Sequence, residues 1–242
     1  MGFLQTKNYP GKRIFFNVLI DVSGSMRVYC KDITHFLNNF VKELKAQNAY
    51  KGAQISVLKF NTEVTELLPY TPLKELETIE EISGLKGGTD IGKALLHGIE
   101  HSQKEIEKAQ QEHKGYDAPF VLLITDGVSN AGWGAKPKEQ EEVAANYDKA
   151  CAKAKQLHRD EDWLFSVMRL ENVSDEDCDE EKELEELKRI TTHVVNYEKG
   201  QPMDLQVKRV FDIFKNIIIT KTESSQRVNP AATPIPDVMY DY

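Results

Sequence analysis

The sequence predicts an α/β domain: a doubly wound, mainly parallel central sheet with one short antiparallel edge strand and helices on both faces. Three observations predict it. Apolar runs of strand length recur along the chain. These runs are nearly continuous rather than alternating, as in strands covered on both faces. Between them, apolar residues return every three or four positions, as on one face of a helix. Alternating strand–helix–strand units of this kind build parallel sheets.

The elements follow in order. "RIFFNVLI" (13–20) reads as a buried strand. Ile33, Phe36, Leu37, Phe40, Val41 and Leu44 then form one helical stripe. "AQISVLKF" (53–60) is the next strand, and "EVTELLP" turns back from it as the edge strand. Residues 72–88 read as loop and short helix, ending in Gly87-Gly88. A helix is expected from about Asp90, with Ile91, Ala94, Leu95, Ile99, Ser102 and Ile106 on one side. "APFVLLIT" (118–125) is a buried strand, Val143, Tyr147, Cys151 and Ala154 mark a helix, and "DWLFSVMRL" is a strand. "EKELEELKRI" reads as helix, "HVVNYE" as a last short strand, and Val207 to Ile218 as a closing amphipathic helix. The expected organisation is an N-terminal segment (1–11), one domain (12–221) and a Ser/Thr/Pro-containing tail (222–242), where Ser224, Ser225 and Thr233 are candidate phosphorylation positions.

Composition narrows the function classes. The 242 residues are 40% hydrophobic, enough for a core, and carry a net charge of -8, which opposes a phosphate backbone. No apolar run approaches the roughly 20 residues of a membrane helix. Neither nucleic acid nor membrane is therefore expected as a partner. Cys30, Cys151 and Cys178 are too few and too far apart for a disulfide framework or a CxxC zinc site. With no leader-like opening, the expected location is the cytoplasm.

Three loop segments supply small oxygen ligands: "DVSGSM" (21–26), "GGTD" (87–90) and "ITDG" (124–127). The alternation in the first lets Asp21, Ser23 and Ser25 converge. Thr89 stands at a helix start, and Asp126 follows a strand. In parallel sheets, ligands bind beyond the carboxyl ends of the strands at a topological switch point, which is where both aspartates are expected. Two carboxylates and three hydroxyls make a hard, all-oxygen set suited to Mg²⁺, with Mn²⁺ or Ca²⁺ as substitutes. Few direct negative ligands leave such a metal electrophilic, ready for a partner's Asp or Glu.

The ordered set DxSGSM, GGTD and TDG resembles the metal-ion-dependent adhesion site of von Willebrand factor A (vWA) domains, whose fold is Rossmann-like. The resemblance covers about residues 12 to 220. It implies Ser23, Ser25 and Thr89 as hydroxyl ligands, with Asp21 and Asp126 binding directly or through water, and all five are present. It also implies a non-enzymatic interaction module. "LLPYTPL", "APFVLLITDG" and "FKNIIITKTESSQ" are similar to the bacterial tellurite-resistance (TerY-like) group. That likeness implies a cytoplasmic scaffold in a stress-response or defence complex with a Ser/Thr phosphatase and a kinase. The acidic "VSDEDCDEEKELEELK" is longer than that group leads one to expect.

The rival class is a metal-dependent hydrolase. "HGIEH" (97–101) fits a zinc-peptidase pattern. On a helix, however, His97, Glu100, His101 and Lys104 would face away from Leu95, Ile99 and Ile106, on a solvated side. A phosphoesterase at the Asp21 site lacks an evident general acid or cationic phosphate clamp. Asp175, Asp177, Asp179 and Glu186 stand at calcium-loop spacing, but Glu180 occupies the position that needs glycine. No P-loop or nucleophile elbow occurs.

Overall fold

A computed structural model of the chain describes residues 13–46, 52–83, 86–127, 129–132, 134–170, 180–191, 193–196 and 205. The strands are β1 (Ile14–Asp21), β2 (Ala53–Phe60), β3 (Val64–Pro72), β4 (Phe120–Thr125), β5 (Leu164–Arg169) and β6 (Val194–Asn196). The helices are α1 (Cys30–Ala46), α2 (Ile91–Gln111), α3 (Pro137–Glu161) and α4 (Glu180–Lys188). The sheet order is β3-β2-β1-β4-β5-β6, and only β3 runs antiparallel to its neighbour. The predicted class holds. The expected closing helix (207–218), the tail and both expected domain boundaries lie outside the described residues.

Strand β1 shows why the sheet is covered on both faces. Its even residues Ile14, Phe16, Val18 and Ile20 pack with Ile33, Phe36, Leu37 and Phe40 of α1. Its odd residues Phe15 and Leu19 pack with Ala94, Leu95 and Ile99 of α2 and Ala150 and Ala154 of α3. All eight residues of β1 are buried, hence the unbroken apolar run. Within the run Asn17 is polar, as is Asp21 at its end, and the Asn17 side-chain N–H groups donate to Gly98 O at 2.8 Å and Ser102 Oγ at 3.1 Å, tying β1 to α2.

Three expectations need correction. The edge strand is not short: β3 has nine residues against eight in β1. It carries Pro69 within it because its pairing to β2 shifts register there, at the sheet edge where a missing N–H costs nothing. Second, no helix forms among the described residues of 72–88. Leu73, Leu76, Ile79 and Ile82 recur every third residue and are all buried against the α1 side. Their backbone is satisfied from α1 instead: Asn38 accepts from Ile79 N–H at 2.7 Å, and Thr34 Oγ1 accepts from Ile82 N–H at 3.1 Å. Third, His101 does not lie on a solvated face. Its Nδ1 is 3.3 Å from Ser56 Oγ, its Nε2 3.2 Å from Glu66, and its ring packs on Tyr70 at 5.0 Å. The buried stripe of α2 includes Gly98 as well as the expected Ser102, so its border reaches His101 beneath β3.

Candidate metal centre

Strand β1 is flanked by β2 on one side and β4 on the other, so the chain reverses its direction of travel across the sheet between β1 and β4. Asp21 closes β1, and Asp126 follows β4. The fold thus brings the two aspartates, 105 positions apart in the sequence, to one crevice at the carboxyl ends of adjacent strands.

Each side chain is held by a local reason. Asp21 Oδ1 accepts from Ser23 N–H at 2.8 Å, a turn that Gly24 continues. Asp21 Oδ2 accepts from Thr125 Oγ1 at 2.7 Å, which joins the ends of β1 and β4. The Thr89 hydroxyl lies close enough to Asp21, and the Ser25 hydroxyl close enough to Asp126, to favour the ionised carboxylates. Ser23 Oγ and Ser25 Oγ are 3.2 Å apart. Asp21, Ser23, Thr89 and Asp126 are buried and Ser25 is half-buried. The structure therefore gathers all five sequence-predicted residues.

Thr89 owes its place to an interlock. It forms a two-way backbone bridge with Asn130, with N–H to O distances of 2.8 and 2.7 Å. Gly88 lies against Gly132 so closely that a Cβ on Gly88 would stand 2.4 Å from the Gly132 nitrogen. Gly132 itself has φ +89°, a conformation suited to glycine. Asp90, next in line, caps α2 by accepting from Lys93 N–H at 2.8 Å.

A family model described as the von Willebrand factor type A domain matches residues 17–205. The chain belongs to that family. Among solved structures, the PilB minor pilin from Streptococcus sanguinis is similar at 12% identity and TM-score 0.59, over 86% of this chain and 62% of that one. The pilus adhesin SpaC from Lactobacillus rhamnosus GG, in its open conformation, is similar at 12% identity and TM-score 0.58, over 89% and 31%. Proximal thread matrix protein 1 from the mussel byssus is similar at 24% identity and TM-score 0.52, over 83% and 48%. These likenesses show the fold. The chain spans less than two thirds of the length of each. A comparison with curated protein sequences found no match.

Electrostatics single out the two carboxylates of this A-type domain. Burial pushes the Asp21 carboxyl above its usual range, against the bonds from Ser23 and Thr125 and the nearby Thr89 hydroxyl. Burial, and then the Asp21 charge, push Asp126 up to about 6, with the Ser25 hydroxyl opposing. Asp126 Oδ2 is buried without a hydrogen-bond partner among the described residues. Neither aspartate has a Lys or Arg counter-ion there. Arg169 lies nearby, at the end of β5; its Nη2 donates to Glu183 of α4 at 2.7 Å, and its Nε is buried without a hydrogen-bond partner among the described residues. Glu183 in turn lies 3.8 Å from where a Cβ of Gly127 would stand, beside the Asp126 loop.

Sequence reasoning passed over Thr125, Asn130, Gly132, Arg169 and Glu183. Thr125 stood inside the quoted "ITDG", and its adjacency to Asp126 was the available signal. Arg169 and Glu183 are 14 positions apart and left none. The zinc alternative gains nothing: among the described residues, no group of three or more His, Cys, Asp or Glu could hold a metal ion, and His97 is exposed. Asp175, Asp177 and Asp179 lie outside the described residues, and Glu186 accepts from Arg189 at 2.7 Å. No helix among the described residues is long and apolar enough to cross a membrane.

Proposed function

We propose that this A-type domain is a metal-dependent protein-binding module. Asp21, Ser23, Ser25, Thr89 and Asp126 hold Mg²⁺, directly or through water, with Mn²⁺ or Ca²⁺ as substitutes. A partner protein contributes an Asp or Glu. One observation carries the reading: two carboxylates are buried side by side, neither is paired with a cationic side chain among the described residues, and Asp126 Oδ2 has no donor among them. Charge buried in that way must be neutralised by a proton or a cation. The three hydroxyls around it are hard oxygen donors that suit Mg²⁺. A bound Mg²⁺ supplies a Lewis-acidic position for an anionic oxygen from outside the chain.

The chain's own residues supply rigidity. Thr125 and the Ser23 N–H orient Asp21, and the Gly88–Gly132 interlock fixes Thr89. The fold is shared with SpaC, which is named a pilus adhesin, in keeping with a role in binding rather than catalysis. The TerY-like sequence cues favour a cytoplasmic scaffold in a bacterial tellurite-resistance, stress-response or defence complex, with a Ser/Thr phosphatase and a kinase as partners.

The test is capture of partners by the tagged chain from a native lysate, with Mg²⁺ and with EDTA. Partners retained only with Mg²⁺, and lost with Thr89→Ala, support the reading. Capture indifferent to chelation contradicts it. Mg²⁺-dependent phosphoester hydrolysis abolished by Asp21→Ala would replace it with the hydrolase reading.

A further inference from the structure

On the β2 side of the metal loops lies a cleft of ≈ 500 Å³ whose lining includes Val22, Lys59, Thr65, Ser83, Lys86 and Gly87. The cleft shares walls with the metal loops. Val22 stands between Asp21 and Ser23, and its N–H donates to Phe60 O at 2.7 Å. Gly87 stands two residues before Thr89. Asn61 binds both walls: its Nδ2 donates to Lys86 O at 2.9 Å, and its carbonyl accepts from Asp90 N–H at 2.8 Å.

We propose that this cleft receives acidic side chains flanking the carboxylate that a partner presents to the metal, so that the partner segment is a run of Asp or Glu rather than a lone acid. The proposal rests on the metal-dependent reading above. Among the described residues, neither Lys59 nor Lys86 has a carboxylate partner; Lys59 Nζ reaches only Ser83 O, at 3.4 Å. The carboxylate lining the cleft, Glu63, is paired with Lys93 at 2.9 Å. Two uncompensated lysines on a chain of net charge -8 are a local departure from its general character. Across the Thr62–Glu63 turn the balance inverts. A second cleft of ≈ 480 Å³ is lined by Asp90, Glu139 and Glu142 besides the Glu63–Lys93 pair. An acidic segment anchored at the metal is drawn toward β2 and repelled from α3, which gives it a direction.

The test uses fluorescein-labelled pentapeptides in anisotropy titrations with the full chain. One probe is pentaglutamate, the second a single central Glu among alanines, and the third carries phosphoserines beside the central Glu. In Mg²⁺, pentaglutamate is expected to bind roughly tenfold tighter than the single-Glu probe. Lys59→Gln/Lys86→Gln should erase most of that preference while leaving calorimetric Mg²⁺ affinity unchanged, and Glu142→Gln should preserve it. Preference that survives the double substitution, or no preference in wild type, overturns the proposal. A chain that takes up no Mg²⁺ overturns the metal reading instead. In that case, acid preference persisting in EDTA and lost with the lysines still supports the cleft. A phosphoserine probe that binds tenfold tighter than pentaglutamate overturns Asp/Glu as the occupant.

Discussion

Asp126 is the residue on which opposing demands meet. Burial and the neighbouring Asp21 charge favour its protonated form, while a cation at the site needs it ionised. Its folded value of about 6 lies above the ordinary 3.8, so its linked stability is fully present below 3.8 and is lost as pH rises through about 6. The chelated protein should therefore lose stability between those values. Asp126→Asn should remove the Asp126 share of that slope and stabilise the chelated protein at pH 7 by up to about 3 kcal/mol, as urea titrations in EDTA will measure. Mg²⁺ affinity should run the other way, rising with pH through 6 and then levelling. That these five residues converge was legible in the sequence through the ordered set DxSGSM, GGTD and TDG, because each segment alone reads as an ordinary turn or helix cap. Thr125 was not, because a threonine closing a strand is ordinary until its hydroxyl is seen on Asp21.

At the scale of elements, the site depends on two loops locked together and on a helix pressed against one of them. Gly88→Ala drives a methyl into the Gly132 backbone, where no flexible side chain can yield. It should cost about 1–3 kcal/mol in urea unfolding and weaken Mg²⁺ binding at least roughly tenfold, because Thr89 moves with it. The Arg169–Glu183 pair is nearly buried on both sides, with side chains 9% and 14% exposed. Removing either partner alone should destabilise by about 3 kcal/mol, whereas Arg169→Met/Glu183→Leu should recover most of that loss; a double-variant cycle measures the difference. The strands were legible because buried parallel strands leave unbroken apolar runs. The segment 72–88 was not, because side chains of α1 satisfy a backbone that its own hydrogen bonds would otherwise hold in a helix. His101 was misplaced for a similar reason: helix periodicity locates a face, but only β3 packed above it decides which border residues are covered.

For the whole molecule, the sheet carries two apolar layers, one under α1 and one under α2 and α3, and the candidate metal site stands at its carboxyl edge outside both. The fold should therefore form without the metal, which adds only its binding energy. EDTA should leave the circular dichroism spectrum unchanged, while Mg²⁺ at a hundredfold excess over its dissociation constant should add about 2.7 kcal/mol. The central claim is that Asp21, Ser23, Ser25, Thr89 and Asp126 hold one Mg²⁺. Isothermal titration calorimetry of the chelator-stripped full chain at pH 7.5 tests it most directly. The account predicts saturable uptake of one Mg²⁺, weakened by Thr89→Ala, abolished by Asp126→Asn and indifferent to His97→Ala. A folded chain that takes up no Mg²⁺, or whose uptake is unchanged by Asp126→Asn, would contradict it.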